Sequence, residues 1–182
     1  MKRFLILATI AILNGCGATS SYYILSNVHD TSAIKHSNIS VGVEKVEVPK
    51  YLFKRELATL SSNNQVEFIS DVQWAEDMDE ALTRRVIGSL QKRWHNPNVS
   101  SYPWGVDKQP TAILHINITK FIAQNSKVYL DATYRITNTK TSYSKSYMFD
   151  TQVALQDSKP ASIVSSMDKA VEKLIDDIAK RM

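Results

Sequence analysis

The sequence predicts a single mixed α/β domain in which two amphipathic helices pack on a mixed, largely antiparallel β-sheet. Two stretches of the chain repeat apolar residues at helical spacing, and several others alternate apolar with polar residues as strands do. The chain has 182 residues, of which 43% are hydrophobic and 22% charged, a composition typical of one globular domain with its own core. We assign residues 1–15 to a signal peptide, 16–21 to a tether and 22–182 to the domain.

The first part of the domain contains short strands. Residues 22–25 predict a strand, and the polar residues 26–38 predict a loop. Residues 39–48 alternate well enough for a second strand. Pro49 is expected to end that strand, because proline cannot donate to the ladder of a sheet.

A hairpin and a helix follow. Residues 57–60 and 66–69 flank Ser and Asn residues that favour a turn. A helix is predicted to begin near Asp77 or Met78, because the acidic residues there interact favourably with the helix dipole. One apolar stripe runs along this helix at 3.6-residue spacing: Met78, Leu82, Val86, Leu90 and Trp94. Its basic residues are expected mostly on the opposite side: Arg84, Arg85, Lys92 and Arg93.

Three longer strands and a second helix complete the domain. Residues 114–121 and 128–136 predict an antiparallel hairpin, and residues 147–155 supply a third strand. The last helix is predicted over residues 160–182. Its apolar stripe is Ile163, Met167, Ala170, Val171, Leu174, Ile175 and Ile178. Its charged residues are expected to face water: Asp168, Lys169, Glu172, Asp176 and Lys180.

The N-terminus has the pattern of a bacterial lipoprotein signal. Lys2 and Arg3 precede an apolar run over residues 4–13. As a helix this run is about 15 Å long, half the roughly 30 Å of a membrane's hydrocarbon core, so it fits a cleaved signal better than a spanning helix. Gly15 then precedes Cys16, the only cysteine of the chain. This ending resembles a lipobox, in which the cysteine takes an S-diacylglycerol and the freed amine an N-acyl group.

Acylation of Cys16 predicts a stable membrane anchor, since two or three acyl chains together hold a protein on a membrane. Gly17 stands where Asp favours retention at the inner membrane in enteric bacteria, so we expect the outer membrane, with the domain facing the periplasm. The tether over residues 16–21 reaches about 20 Å at most. Any partner must therefore meet the domain close to the lipid surface.

The sequence gives no indication of catalysis, and we expect the protein not to be an enzyme. The net charge of the chain is +4, and it falls to +2 when the signal peptide is removed. A charge of +2 is too small to indicate nucleic acid as a partner. Only five glycines are present, and no phosphate-binding glycine motif occurs. The four histidines, His29, His36, His95 and His115, have no metal-ligand spacing. No cofactor is expected besides the acyl groups on Cys16.

Three segments rich in aromatic residues and proline are candidates for binding a partner, since exposed Trp and Tyr make good anchors. The alternative is that these side chains pack loops onto the helices and sheet. The candidate residues are Pro49, Tyr51, Trp74, Tyr102, Pro103 and Trp104.

The same segments resemble one family. The motifs are Tyr-Tyr-x-Leu at 22–25, Val-Gly-Val-x-x-Val-x-Val-Pro-x-Tyr-Leu at 41–52, Trp-Ala-Glu-x-x-x-Glu-Ala-Leu-Thr-Arg at 74–84 and Tyr-Pro-Trp at 102–104. Occurring in this order after a lipobox, they make the chain similar to the PqiC/YmbA family of ABC-type transport auxiliary lipoproteins. The resemblance covers nearly the whole mature chain.

The resemblance implies a three-layer α/β fold, similar to anticodon-binding or TolB amino-terminal domains, and a non-enzymatic role. It also implies an MCE-domain protein as partner, in a system that moves lipids between the two membranes. We expect a docking component of such a system, and self-association into a homo-oligomer stays open. The alternative function is that of a pilotin-like assembly lipoprotein of another envelope complex.

Overall fold

A computed structural model describes residues 20–25, 39–105 and 108–182 of the chain. The signal peptide, Cys16 and the predicted loop over residues 26–38 lie outside the described residues.

The described chain forms eight strands, two α-helices and one short 3₁₀ helix. The strands are β1 (Ser21–Tyr23), β2 (Val41–Val43), β3 (Glu56–Leu60), β4 (Val66–Trp74), β5 (Val99–Ser101), β6 (Ala112–Gln124), β7 (Lys127–Asn138) and β8 (Ser144–Ala154). The helices are α1 (Met78–Trp94), α2 (Pro160–Arg181) and the 3₁₀ helix (Lys50–Phe53).

All eight strands form one mixed sheet with β6 near its centre. On one side, β6 pairs with β7 and β7 with β8, all antiparallel. The other edge of β6 is shared by two strands that run parallel to it: β2, where Val43 lies opposite Leu114, and β3, where Thr59 lies opposite Ala123. Strand β5 continues the sheet beyond β2, and β4 and β1 continue it beyond β3. The long pairings are antiparallel and most short ones parallel, which confirms the predicted mixed α/β class.

The two helices contact each other and the sheet, with α2 against β6, β7 and β8 and α1 against β2 and β5. Both predicted apolar stripes are buried in one core. The helices also begin where the sequence predicts, α1 at Met78 and α2 at Pro160, a proline at the first helical turn. The described residues form two layers, the sheet and the pair of helices. The resemblance implies three layers.

Several short strands, before and after α1, differ from the prediction. The strand expected over residues 39–48 is regular only at Val41–Val43, and a single bridge from Glu47 to Asn117 continues it. Strand β4 extends to Trp74 because its last residues pair with β1, and β5 was not predicted. These elements depend on partners distant in sequence, which local alternation does not reveal.

The expectation that the charged residues of α2 face water is wrong for Asp168 and Glu172, and two basic residues of α1 are buried with them. The side chains of Arg85, Arg93 and Asp168 are 3%, 5% and 5% exposed, and that of Glu172 is 16% exposed. They form an ion network between α1 and α2, because the two helices contact each other on these faces. The helical periodicity of one segment cannot show which neighbouring helix will cover its polar side.

Candidate partner-binding surface

The segment Tyr102–Pro103–Trp104 directly follows β5 at one end of the sheet. The Tyr102 backbone N–H donates a hydrogen bond to the carbonyl oxygen of Val43 over 2.7 Å, and the Tyr102–Pro103 peptide bond is cis. The Tyr102 ring lies against Gly42 of β2. A Cβ at Gly42 would lie 2.9 Å from Cδ2 of Tyr102 and 3.0 Å from Cγ of Pro110, so the absence of a side chain there permits this close approach.

Tyr102 borders two surface clefts. The first has a volume of about 380 Å³ and lies between β5 and α1. Its lining residues are Lys45, Glu80, Thr83, Arg84, Ile87, Ser101 and Tyr102. The second has a volume of about 550 Å³ and lies at the end of the β6–β7 hairpin where β7 ends. Its lining consists of Tyr102 and residues between 109 and 142. The aromatic ring therefore stands between two concave surfaces.

The rim of the first cleft is charged, with both signs paired. Lys45 Nζ lies 2.9 Å from a carboxylate oxygen of Asp79 and 3.5 Å from one of Glu80. The hydrogen bond to Asp79 raises the pKa of the exposed Lys45 amine above its usual value. Arg84 forms an ion pair with Glu76. Such a rim surrounds the apolar side chains in the cleft with charges that a partner can meet.

The other two residues of the segment differ in exposure. Pro103 is exposed and Trp104 is half-buried. The indole N–H of Trp104 is buried and finds no hydrogen-bond acceptor among the described residues. Tyr102, Pro103 and Trp104 thus form, with the first cleft, a surface that we call the Tyr102 surface.

Trp74 lies elsewhere, in the core. Its side chain is 3% exposed, and its backbone N–H donates to the carbonyl oxygen of Arg55 over 2.7 Å. The residue ends β4, opposite Tyr23 of β1. A partner cannot reach Trp74 in this conformation, which favours the packing interpretation for this candidate.

Pro49 and Tyr51 occupy a third place, at the 3₁₀ helix. The Tyr51 hydroxyl accepts a hydrogen bond from the backbone N–H of Phe121 over 2.8 Å, next to an irregularity of the β6–β7 ladder between Ile118 and Lys120. Burial raises the pKa of this hydroxyl above its usual value. The Pro49 carbonyl accepts from the Leu52 N–H over 2.9 Å, which closes the 3₁₀ turn. Both residues therefore have structural contacts: Tyr51 holds the 3₁₀ helix against β6, and Pro49 closes its turn.

The first cleft also contains residues that were not predicted as binding candidates, namely Lys45, Thr83 and Ile87. Thr83 and Ile87 lie one turn apart on α1, at the margin of its apolar stripe. The Thr83 hydroxyl accepts a hydrogen bond from the Val46 N–H over 2.9 Å, which joins α1 to the chain after β2. Their place beside Tyr102 arises from tertiary contacts.

In the described parts of the chain, no three His, Cys, Asp or Glu side chains cluster in a way that could hold a metal ion. His115 instead pairs with Glu44, with Nδ1 2.7 Å from a carboxylate oxygen. None of the described helices has both the length and the apolar character needed to cross a membrane.

The chain belongs to the family of ABC-type transport auxiliary lipoprotein components, whose model matches residues 23–179. This range includes both helices apart from the end of α2, nearly all of the sheet and the Tyr102 surface. The family is that of an accessory component of transport, and its members are lipoproteins. The expectation drawn from the sequence motifs is thereby confirmed at the level of the family.

Solved structures share the fold. An uncharacterized protein is similar with a TM-score of 0.76 at 21% sequence identity, over 90% of this chain and 98% of that one. Protein XCC0632 from Xanthomonas campestris is similar with a TM-score of 0.72 at 9% identity, over 87% of this chain and 92% of that one. No curated protein matches the chain significantly. At these identities the likeness establishes the fold alone.

Proposed function

We propose that the protein is a periplasmic lipoprotein of the outer membrane that docks an MCE-domain protein of an ABC-type lipid transport system. The observation that carries the proposal is the family match over residues 23–179, directly after a lipobox at Cys16. An auxiliary lipoprotein of a transporter is anchored at a membrane and needs a surface for its partner. The Tyr102 surface is the part of the described chain best suited to that contact.

The physical need for such a component lies in the cargo. A lipid that crosses an aqueous compartment requires an enclosed path, because each exposed methylene costs about 0.8 kcal/mol in water. A domain on a tether of about 20 Å can hold the end of that path against the receiving membrane. Several copies on one membrane would add their weak contacts through a high effective concentration.

The chemistry of the Tyr102 surface suits a protein contact better than an acyl chain. The first cleft has the aromatic ring of Tyr102 and the aliphatic side chain of Ile87, surrounded by charged side chains. Apolar anchors inside a polar rim are typical of the energetically dominant part of a protein interface. We therefore favour docking of the transport protein over carriage of the lipid itself.

The anchor is tested by the variant Cys16→Ala in the full-length chain. We expect the unchanged protein to fractionate with outer membranes and to carry the mass of the acyl groups. The variant should lose that mass and leave the outer membrane, because the substitution removes the thiol to which the diacylglycerol is attached. A variant that stayed with the outer membrane would contradict the proposed anchor, and an acylated wild type found in the inner membrane would contradict only the location.

The docking surface is tested by Trp104→Ala. We expect the affinity for the purified MCE-domain protein to fall about 30-fold, the loss that a central aromatic residue of an interface typically carries. Phe53→Ala is the matched control, since Phe53 is an exposed aromatic side chain on the 3₁₀ helix, 62% exposed, outside the Tyr102 surface. Equal affinities for Trp104→Ala, Phe53→Ala and the unchanged protein, measured by calorimetry, would contradict docking through Trp104.

A further inference from the structure

The described domain has an exposed apolar corner at β1. Tyr22 is 63% exposed and Ile24 is 53% exposed. Phe53, in the 3₁₀ helix, is 62% exposed. These three are the majority of the five large hydrophobic side chains that are exposed in the described chain. We call Tyr22, Ile24 and Phe53 the apolar corner, because exposed apolar side chains that lie together indicate a contact surface.

Tyr22 and Ile24 point away from the two helices. The residues that alternate with them, Tyr23 and Leu25, pack in the same core as the apolar stripes of α1 and α2. Successive side chains of an extended chain point to opposite faces, so Tyr22 and Ile24 lie on the other face of the sheet. Neither described helix therefore covers them, in agreement with their exposure.

Phe53 is held near β1 through backbone hydrogen bonds to the end of β4. The Trp74 N–H donates to the Arg55 carbonyl oxygen over 2.7 Å, and the Ala75 N–H donates to the Tyr23 carbonyl oxygen over 2.8 Å. The segment that follows Phe53 and the end of β1 thus flank the end of β4, two strand spacings or about 10 Å apart. The apolar corner therefore spans this end of the sheet.

The place where the chain enters the domain brings the corner close to the acylated cysteine. Strand β1 begins at Ser21, five residues after Cys16. The tether between them reaches about 20 Å at most, and the headgroup layer of one leaflet is itself about 5–8 Å thick. Once Cys16 is anchored, a lipid surface therefore lies within reach of Tyr22, the next residue of β1.

We propose that the apolar corner rests on the phospholipid surface that holds Cys16, with Tyr22 and Ile24 inserted among the lipid headgroups. Tyrosine suits this position because its ring is apolar and its hydroxyl can stay in contact with water. The proposal rests on the anchor of the proposed function, and it adds the face of the domain that the membrane covers. The contact gives the domain a fixed orientation, which the acyl chains alone do not impose.

The charges around the apolar corner have both signs. Arg55 and Asp77 form an ion pair over 3.2 Å, and both side chains are exposed. Lys54, next to Phe53, and Asp71, beside the start of β1, are also exposed. Because these charges balance, anionic lipid should not attract the corner strongly. The contact depends on the apolar side chains and is expected on zwitterionic as well as anionic lipid.

The test places a fluorescent label on one introduced cysteine of the acylated protein, which is then bound to vesicles containing spin-labelled lipid. The introduced cysteine is the only free thiol, because Cys16 is the single cysteine of the chain and is acylated. We expect labels at Tyr22→Cys and at Ile24→Cys to lose fluorescence, since the spin label quenches on contact. In each variant the other apolar side chain remains to hold the contact. The loss should be the same on phosphatidylcholine vesicles and on vesicles that also contain phosphatidylglycerol.

Tyr143→Cys is the matched control, since Tyr143 is 66% exposed and lies between β7 and β8. Strand β7 is separated from β1 by β4, β3 and β6, a distance of about 19 Å across the sheet, so a label there should keep its fluorescence. Vesicle-bound protein without quenching at positions 22 and 24 would overturn the orientation and leave the anchor intact. Equal quenching at 22, 24 and 143 would also overturn it, because that result indicates no fixed face. Protein that carries no acyl group and does not float with the vesicles would contradict the anchor and this inference together.

Discussion

The variant Glu172→Ala is expected to lower the free energy of unfolding by about 3 kcal/mol, the lower end of the range for breaking a buried ion pair. One carboxylate oxygen of Glu172 lies 2.5 Å from Arg85 Nη2, and the other contacts Arg93. Both guanidinium groups belong to α1 and are nearly buried, whereas Glu172 belongs to α2. Removing this carboxylate leaves two buried positive charges with fewer counter-ions, which is costly because water cannot solvate them.

The measurement is urea unfolding followed by tryptophan fluorescence or circular dichroism. Lys173→Ala is the matched control, since Lys173 is the next residue of α2 and is exposed. We expect that control to change the free energy by about 0.5 kcal/mol or less. If Glu172→Ala behaved like Lys173→Ala, the network would be solvated and would contribute little to holding the helices together.

Trp74→Ala is expected to lower the free energy of unfolding by about 3–5 kcal/mol, as other Trp and Phe truncations in cores do. The side chain is 3% exposed and ends β4, where that strand pairs with β1. Its loss leaves a large cavity that the surrounding core cannot fill by relaxing. The indole N–H of Trp74 has no acceptor among the described residues, so the effect comes from lost packing.

Comparison of two tryptophan variants separates packing from partner binding. Trp74→Ala should lose stability, and its folded fraction should still bind the partner. Trp104→Ala should keep most of its stability and lose affinity, because Trp104 is half-buried in a loop. Trp74→Phe should cost only about 1 kcal/mol, because it retains most of the buried volume. A Trp74→Ala protein as stable as the wild type would contradict the core position.

The helices and long strands could be predicted from the sequence because each has a local signal. The stripe from Met78 to Trp94 and the alternation over residues 128–136 are complete within one segment. Strand β5 has only three residues, and β2 is regular over three. The pairing of β2 with β5 on one side and with β6 on the other decides their structure. Neither pairing is visible in local periodicity.

The candidate surface was predictable in part. Tyr102, Pro103 and Trp104 stood out by composition, and in the structure Tyr102 lines a cleft. The cleft itself depends on Ile87 and Thr83 of α1 and on the lack of a side chain at Gly42, which are brought together only by folding. The burial of Arg85 and Arg93 was missed for the same reason, since helical spacing does not reveal which helices are neighbours.

Docking of an MCE-domain protein through the Tyr102 surface is tested most directly by in-cell crosslinking. The photoreactive residue replaces Pro103, which is exposed between Tyr102 and Trp104. Lys169, exposed on α2, is the control position. We predict that an MCE-domain protein is captured from position 103 and not from position 169. Capture of a protein of another envelope complex from position 103, or no position-dependent capture of an MCE-domain protein, would contradict docking through the Tyr102 surface.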